Sequence, residues 1–231
     1  GSYDDNLIEL ATLCLGGLVA LAALYQPWLA ILVIAPMYTL QRGALVRELE
    51  TAATTDAKTG LLNAVAWEQL AKRELARGER ETYSVAVLII DIDRFKLVND
   101  RFGHLAGDVV LRGIGRSLGG AMREYDTVGR FGGEEFVAVL PEADEISALT
   151  VAERVRARVN RIRVSDLVEG IDPIDDDLLA VSIGVACTPV DGFELAELLH
   201  AADQALYRAK DSGRNQVQLA YRGTGETPVR A

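Results

Sequence analysis

Two short acidic stretches and a few cations hold the residues of this 231-residue chain that could do chemistry. Asp91 and Asp93 stand at the exit of an apolar run, and Glu134 and Glu135 follow the pair Gly132-Gly133. Carboxylates at the end of an apolar strand are costly to place unless something positive meets them, and a hard divalent cation would do so. Two adjacent glycines allow a tight turn and a close approach of backbone to a ligand. If that turn neighbours the strand, Asp91 and Glu134 converge on one oxygen-ligand site suited to magnesium. With so few protein carboxylates, magnesium takes phosphate oxygens as further ligands.

Cations for such phosphates are Lys96, just past the apolar run, and Lys210 and Arg214, which share a helical face if the last helix persists that far. Each alone is more often a solvated surface charge, so the weight rests on their combination with the acids. Asn99 and Asp108 flank the segment 100–104, and an Asn plus an Asp can jointly read a guanine edge. The same pair also reads as a turn residue and a helix cap. His104 reads as a catalytic base or as a residue that orders its loop, and His200 as structural.

The elements that must position these residues alternate between helix and strand, which predicts one α/β domain. Helices are expected at 64–77, closed by Gly78, and at 107–122, 146–162 and 193–210. Strands are expected at 84–91 and 179–187, with a hairpin formed by 127–130 and 135–140 around the glycine pair. The acidic segment 164–178 reads as a surface loop, with calcium binding as the alternative.

A formal charge of −10 argues against a nucleic-acid partner, because such binders present a basic face. Cys14 and Cys187 suggest neither a disulfide framework nor a zinc site, and a reduced cytosolic setting fits them. Residues 7–24 and 28–40 are apolar runs, the second flanked by Trp28 and Tyr38. They read as membrane helices of a truncated sensor region or as core helices of a soluble domain. Asp4 and Asp5 before the runs and Arg42, Arg47 and Lys58 after them orient the C-terminal part to the cytoplasm, which predicts a protein of the inner membrane. Residues 41–55 read as an amphipathic linker helix that pairs with its copy or packs on its own domain. The opening Gly1-Ser2, without Met, suggests a piece of a longer protein. The expected organisation is therefore 1–40 apolar, 41–55 linker, 56–220 catalytic and 221–231 tail.

Over residues 55–216 the string resembles the GGDEF family, with Gly132-Gly133-Glu134-Glu135-Phe136 matching its naming motif in the Glu variant. Asp56, Thr59-Gly60-Leu61 and Asn63 match its opening motif, and Asp91-Ile92-Asp93-Arg94-Phe95-Lys96 with Asn99-Asp100 its metal and substrate strand. Gly103-His104, Gly107-Asp108, Ala209-Lys210 and Gly213-Arg214-Asn215 complete the ordered set. The resemblance implies a palm-like, mostly antiparallel sheet flanked by helices, and a diguanylate cyclase that condenses two GTP into cyclic di-GMP as a homodimer.

It implies further that Asp91, the Ile92 carbonyl and Glu134 bind magnesium or manganese. Glu135 assists, Lys96 stabilises the reacting phosphate, and Lys210 and Arg214 hold the terminal phosphates. Phe95, Asn99 and Asp108 belong to the GTP site, the last two on guanine. Arg123 and Asp126 resemble the family's inhibitory product site, with Arg154 as a secondary basic residue. The alternatives are a silent GGDEF domain that binds nucleotide and regulates a partner, and synthesis of a mixed GMP-AMP dinucleotide. Intact acids and the presence of Asp108 argue against these two. Lys58 departs from the pattern, where the family has Leu, and so does Ala64-Val65, where it has basic residues.

Overall fold

The computed structural model describes residues 53–168 and 178–220, with Cys14, Gly16, Gly17, Ala20 and residues 37–39 and 41–42. The chain divides into two compact units, Gly1–Ala52 and Ala53–Ala231. In the second unit the order is α1 (Ala64–Glu81), β1 (Ala86–Ile92), α2 (Phe95–Gly119), β2 (Thr127–Gly132), β3 (Glu135–Leu140), α3 (Glu145–Val159), α4 (Val164–Leu167), β4 (Val181–Cys187), α5 (Leu195–Asp211) and β5 (Val217–Leu219).

The strands form one mixed sheet in the order β2-β3-β1-β4-β5. Its pairs are antiparallel except β4 with β5, which are parallel. Every residue of β1 and β4 is buried, because helices cover both faces of the sheet. Successive side chains point to opposite faces. Leu88, Ile90 and Ile92 thus join a core with Val110, Ile114 and Val155, from α2 and α3. Val87 and Ile89 join a second core with Trp67, Leu198 and Leu206, from α1 and α5. Two covered faces explain why these strands read as continuous apolar runs rather than alternating ones.

The structure corrects several expected boundaries. Gly78 does not close α1. It lies inside the helix, where a Cβ would come within 2.7 Å of Val85, and the helix ends at Thr82 in a left-handed conformation (φ 62°). The second helix begins at Phe95 rather than near 107, and it is broken by a non-helical Gly103 (φ 84°, ψ 163°). Asn99, Asp100 and Gly103 are turn formers by type, but Phe95, Val98 and Phe102 pack on the core and hold the segment helical. The start of the expected acidic loop is the short α4, whose Leu167 lies where a side chain on Gly113 would be. The three-residue β5 was too short to show a strand pattern.

The acidic residues 169–177 lie outside the described residues, and the calcium alternative with them. So do most of the apolar runs within 7–40 and most of the linker helix at 41–55. Among the described residues no helix is long and apolar enough to cross a membrane, so the expected preceding apolar helices gain no support here.

Candidate active site

The register of β1 against β3 places Asp91 directly opposite Glu135. One residue on, the Ile92 N–H donates to the Glu134 carbonyl at 3.3 Å. This fixes the glycine turn beside the end of β1, as the site requires. The turn tightens through a register shift between Arg130 and Gly132 and through Gly133, whose φ of 47° favours glycine. Arg130 holds the turn from outside: its Nε donates to the Gly133 carbonyl at 3.1 Å, while its Nη1 meets the Asp56 carboxylate at 3.1 Å.

Asp91 is 5 % exposed and pairs with Lys210 Nζ at 2.8 Å. Burial drives its pKa up, the Lys210 ammonium opposes that, and the net direction is upward. Glu134 and Glu135 are also raised, first by burial and next by the charge of Asp91, with Lys210 again opposing. Three acids thus crowd one end of the sheet with excess negative charge. Among the described residues no three His, Cys, Asp or Glu groups form a ready cage for a metal ion. The set nevertheless fits a hard, partly hydrated cation such as magnesium, because its donors are oxygens and the acids gain from added positive charge.

Asp93 stands at the exit of the same strand but outside the metal set that the resemblance implied. The structure gives it other partners. It accepts from the Ser182 hydroxyl at 2.7 Å and from the Asn215 N–H at 2.9 Å. Asp93 therefore pins the segment after α5 to the end of β1. That helix stops at Asp211, and Gly213, Arg214 and Asn215 all take positive φ. Lys210 and Arg214 consequently do not share a helical face, as sequence spacing suggested. The turn brings them to the acids by another route, and the Arg214 charge acts on Asp91 alongside that of Lys210. Arg214 also lines a cleft of about 260 Å³ with Arg94, Arg101, Leu97 and Phe102.

Phe95 is buried and Lys96 exposed, both in the first turn of α2, and Lys96 makes no ion pair among the described residues. The Gly103 break folds α2 so that Asn99 lies against Gly107, where any side chain would run into its amide and into the Phe95 ring. Asn99 and Asp108 are thereby neighbours. Asp108 is already engaged, with Lys58 Nζ 2.6 Å from its Oδ1. His104 is exposed on α2, and His200 Nε2 lies 2.9 Å from the Gln204 amide.

In the loop before β2, the Asp126 carboxylate accepts from the Arg123 N–H at 2.7 Å. The Arg123 guanidinium instead reaches the Tyr125 hydroxyl at 2.9 Å, so the two residues do not form the surface ion pair their spacing suggests. Burial raises the Asp126 pKa, with Arg123 and Arg154 opposing, which puts Arg154 within electrostatic reach.

Sequence reading did not find Arg130, the Lys58 contact or the structural role of Asp93. Only the charge of Arg130 ahead of the glycine pair could have signalled the first.

A mixed sheet covered by helices, with acids at a glycine turn and cations from the last helix and the turn after it, is an α/β architecture with acids and cations gathered at one end of the sheet. The chain belongs to the GGDEF family, whose profile, diguanylate cyclase, GGDEF domain, matches residues 53–216. It is 39 % identical over 165 residues to the diguanylate cyclase DosC of Escherichia coli K12, covering 71 % of this chain and 34 % of DosC. Against DgcM of the same organism the identity is 40 % over 177 residues, covering 76 % and 40 %. This chain thus spans well under half of these curated relatives. Among solved structures it is similar to the coiled coil and GGDEF domain of DgcB from Caulobacter crescentus, which is in complex with c-di-GMP. That match has a TM-score of 0.72 and 26 % identity, and covers 84 % of this chain and 100 % of the other.

Proposed function

We propose that this chain condenses two molecules of GTP into cyclic di-GMP. The observation that carries the reading is the meeting of Asp91, Glu134 and Glu135 with Lys210 at one end of the sheet. Curated relatives named diguanylate cyclases support the same activity.

Asp91, the Ile92 carbonyl and Glu134 are the groups to hold magnesium or manganese, which when bound would polarise the α-phosphate and favour loss of the 3′-hydroxyl proton. Lys210 and Arg214 grip the terminal phosphates, and Lys96 neutralises charge that develops on the reacting phosphate. Asn99 and Asp108 read guanine beside Phe95. In each half-reaction the 3′-oxygen of one nucleotide bonds to the α-phosphorus of the other, pyrophosphate departs and the hydroxyl proton is lost. Two such events close the ring.

One domain offers one nucleotide site, so two copies must face each other, and anything that changes their separation sets the rate. Residues 41–55 are the proposed transmitter, and residues 7–40 the proposed anchor in the inner membrane, with the catalytic domain in the cytoplasm. Arg123, Asp126 and Arg154 are the proposed site for inhibitory product. The test is incubation with GTP and magnesium and identification of the product by mass. Cyclic di-GMP from the intact chain, and none from Glu134→Gln of unchanged fold, is the expected result. Nucleotide binding without product would favour a silent regulatory domain, and a mixed dinucleotide would overturn the guanine assignment.

A further inference from the structure

Lys58 lies between Asp56 and Thr59 in the opening segment of the domain, and the structure puts it on the proposed base-reading carboxylate. Its Nζ lies 2.6 Å from Asp108 Oδ1 across fifty positions of sequence. The side chains are 50 % and 35 % exposed, so the pair adds little to stability and its placement calls for another reason. The two backbone positions that carry the pair are held in place. The Asp56 carboxylate accepts from the Thr59 N–H and hydroxyl, and Thr59 packs on Gly115 of α2, where a Cβ would come within 3.0 Å of it. Asp108 stands on the same helix beside the Asn99–Gly107 contact. A base that meets Asp108 must therefore also meet an ammonium.

We propose that Lys58 is a specificity-determining residue of the guanine site, donating to O6 of the base while Asp108 accepts from N1–H and the 2-amino group. The inference rests on the assignment of Asp108 to the base. The chemistry of the edge supports it. Guanine presents an acceptor, O6, next to two donors, which complements one cationic donor beside one carboxylate acceptor. Adenine in the same orientation turns its 6-amino donors toward the ammonium and its N1 acceptor toward the carboxylate, so both contacts become repulsive. A carboxylate alone rejects adenine at one position; the pair rejects it at two. The lysine stem is long enough to swing from Asp108 to O6 without moving the loop, and its three donors let it keep one bond to the carboxylate.

The test uses the full chain with magnesium and two nucleotides that cannot react, 3′-deoxy-GTP and its 6-thio analogue, whose sulfur is a poor acceptor at the O6 position. Wild type is expected to bind the oxygen form roughly tenfold or more tightly than the sulfur form, as for a hydrogen bond to a charged group. Lys58→Met, which keeps the stem and loses the charge, is expected to bring that ratio to within about twofold, and Lys58→Arg to restore part of it. A ratio unchanged in Lys58→Met, or tighter binding of 3′-deoxy-GTP by that variant, overturns the proposal, since the lysine would then be a bystander or a competitor of the base. Asp108→Ala separates the two layers. If it leaves the preference of 3′-deoxy-GTP over 3′-deoxy-ATP intact, the base assignment itself fails; if it abolishes that preference while Lys58→Met changes nothing, only the role of Lys58 fails.

Discussion

Lys210 Nζ and Asp91 Oδ2 lie 2.8 Å apart, joining the last helix to the central strand at the point where the acids converge. The ammonium does not offset the burial of these acids, and Asp91, Glu134 and Glu135 all keep raised pKa values. The folded chain thus holds protons on these groups more tightly than the unfolded chain does.

For Glu134, ordinary value 4.5, the stability contributed by the raised pKa is fully present below that value. It is lost as pH rises through the folded value. Glu134→Gln removes this loss. In EDTA, its Tm relative to wild type is expected to rise from near zero at pH 4 to a positive difference at pH 7, with magnesium then stabilising wild type more than the variant. A variant less stable than wild type at pH 7 in EDTA would contradict the cost of holding Glu134 ionised, partly buried beside Asp91.

Asp56 titrates in the opposite sense. Burial works to raise its pKa, but hydrogen bonds from Thr59 and the Arg130 guanidinium outweigh it, and the net direction is below the ordinary 3.8. Its contribution is present above 3.8 and lost as pH falls through the lowered value. The side chains of Arg130 and Asp56 are only 11 % and 22 % exposed, so Arg130→Ala is expected to cost about 2 kcal/mol. In a double-mutant cycle with Asp56→Ala the two losses should be clearly less than additive, as read by urea denaturation at pH 7. Strict additivity would show that the pair is not coupled.

Asp93→Ala removes one acceptor from both Ser182 and the Asn215 N–H, at a cost of about 2 kcal/mol. Since it frees the turn that carries Arg214, KM for GTP is expected to rise by more than kcat falls, while the magnesium dependence of the rate is retained. A shifted magnesium dependence with unchanged KM would mean that Asp93 serves the metal after all.

Gly184, on β4, faces α5 so closely that a Cβ would overlap the Ala202 carbonyl and come within 2.5 Å of the Leu206 N. Both are backbone atoms of a helix and cannot turn aside. Gly184→Ala is therefore expected to cost about 3 kcal/mol or more, seen as a large drop in Tm. A drop below about 1 kcal/mol would show that α5 shifts freely on the sheet.

The central strand and the hairpin were legible because their signals are local: an unbroken Val/Ile run ending in acids, and a glycine pair between two apolar segments. The first half of α2 was not. There the types of Asn99, Asp100 and Gly103 speak for a turn, and only the tertiary burial of Phe95 and Phe102 overrides them. The acids of the site could be named from sequence, and the resemblance set Asp91 apart for metal, but what Asp93 does instead could not. It depends on the Ser182 hydroxyl and the Asn215 N–H, both remote in the chain; Asn215 was marked as part of a motif, but nothing in the sequence pointed to its partner. The same holds for Lys58 and Asp108.

The pinning of the segment after α5 by Asp93 bears on synthesis of the protein. The acids of β1 and the hairpin leave the ribosome well before Lys210, Arg214 and Asn215. A chain ended by a stop codon before α5 therefore lacks both the ammonium that pairs with Asp91 and the N–H that Asp93 accepts from. Prematurely terminated copies also lack a helix that covers one face of the sheet, and should be cleared by proteolysis.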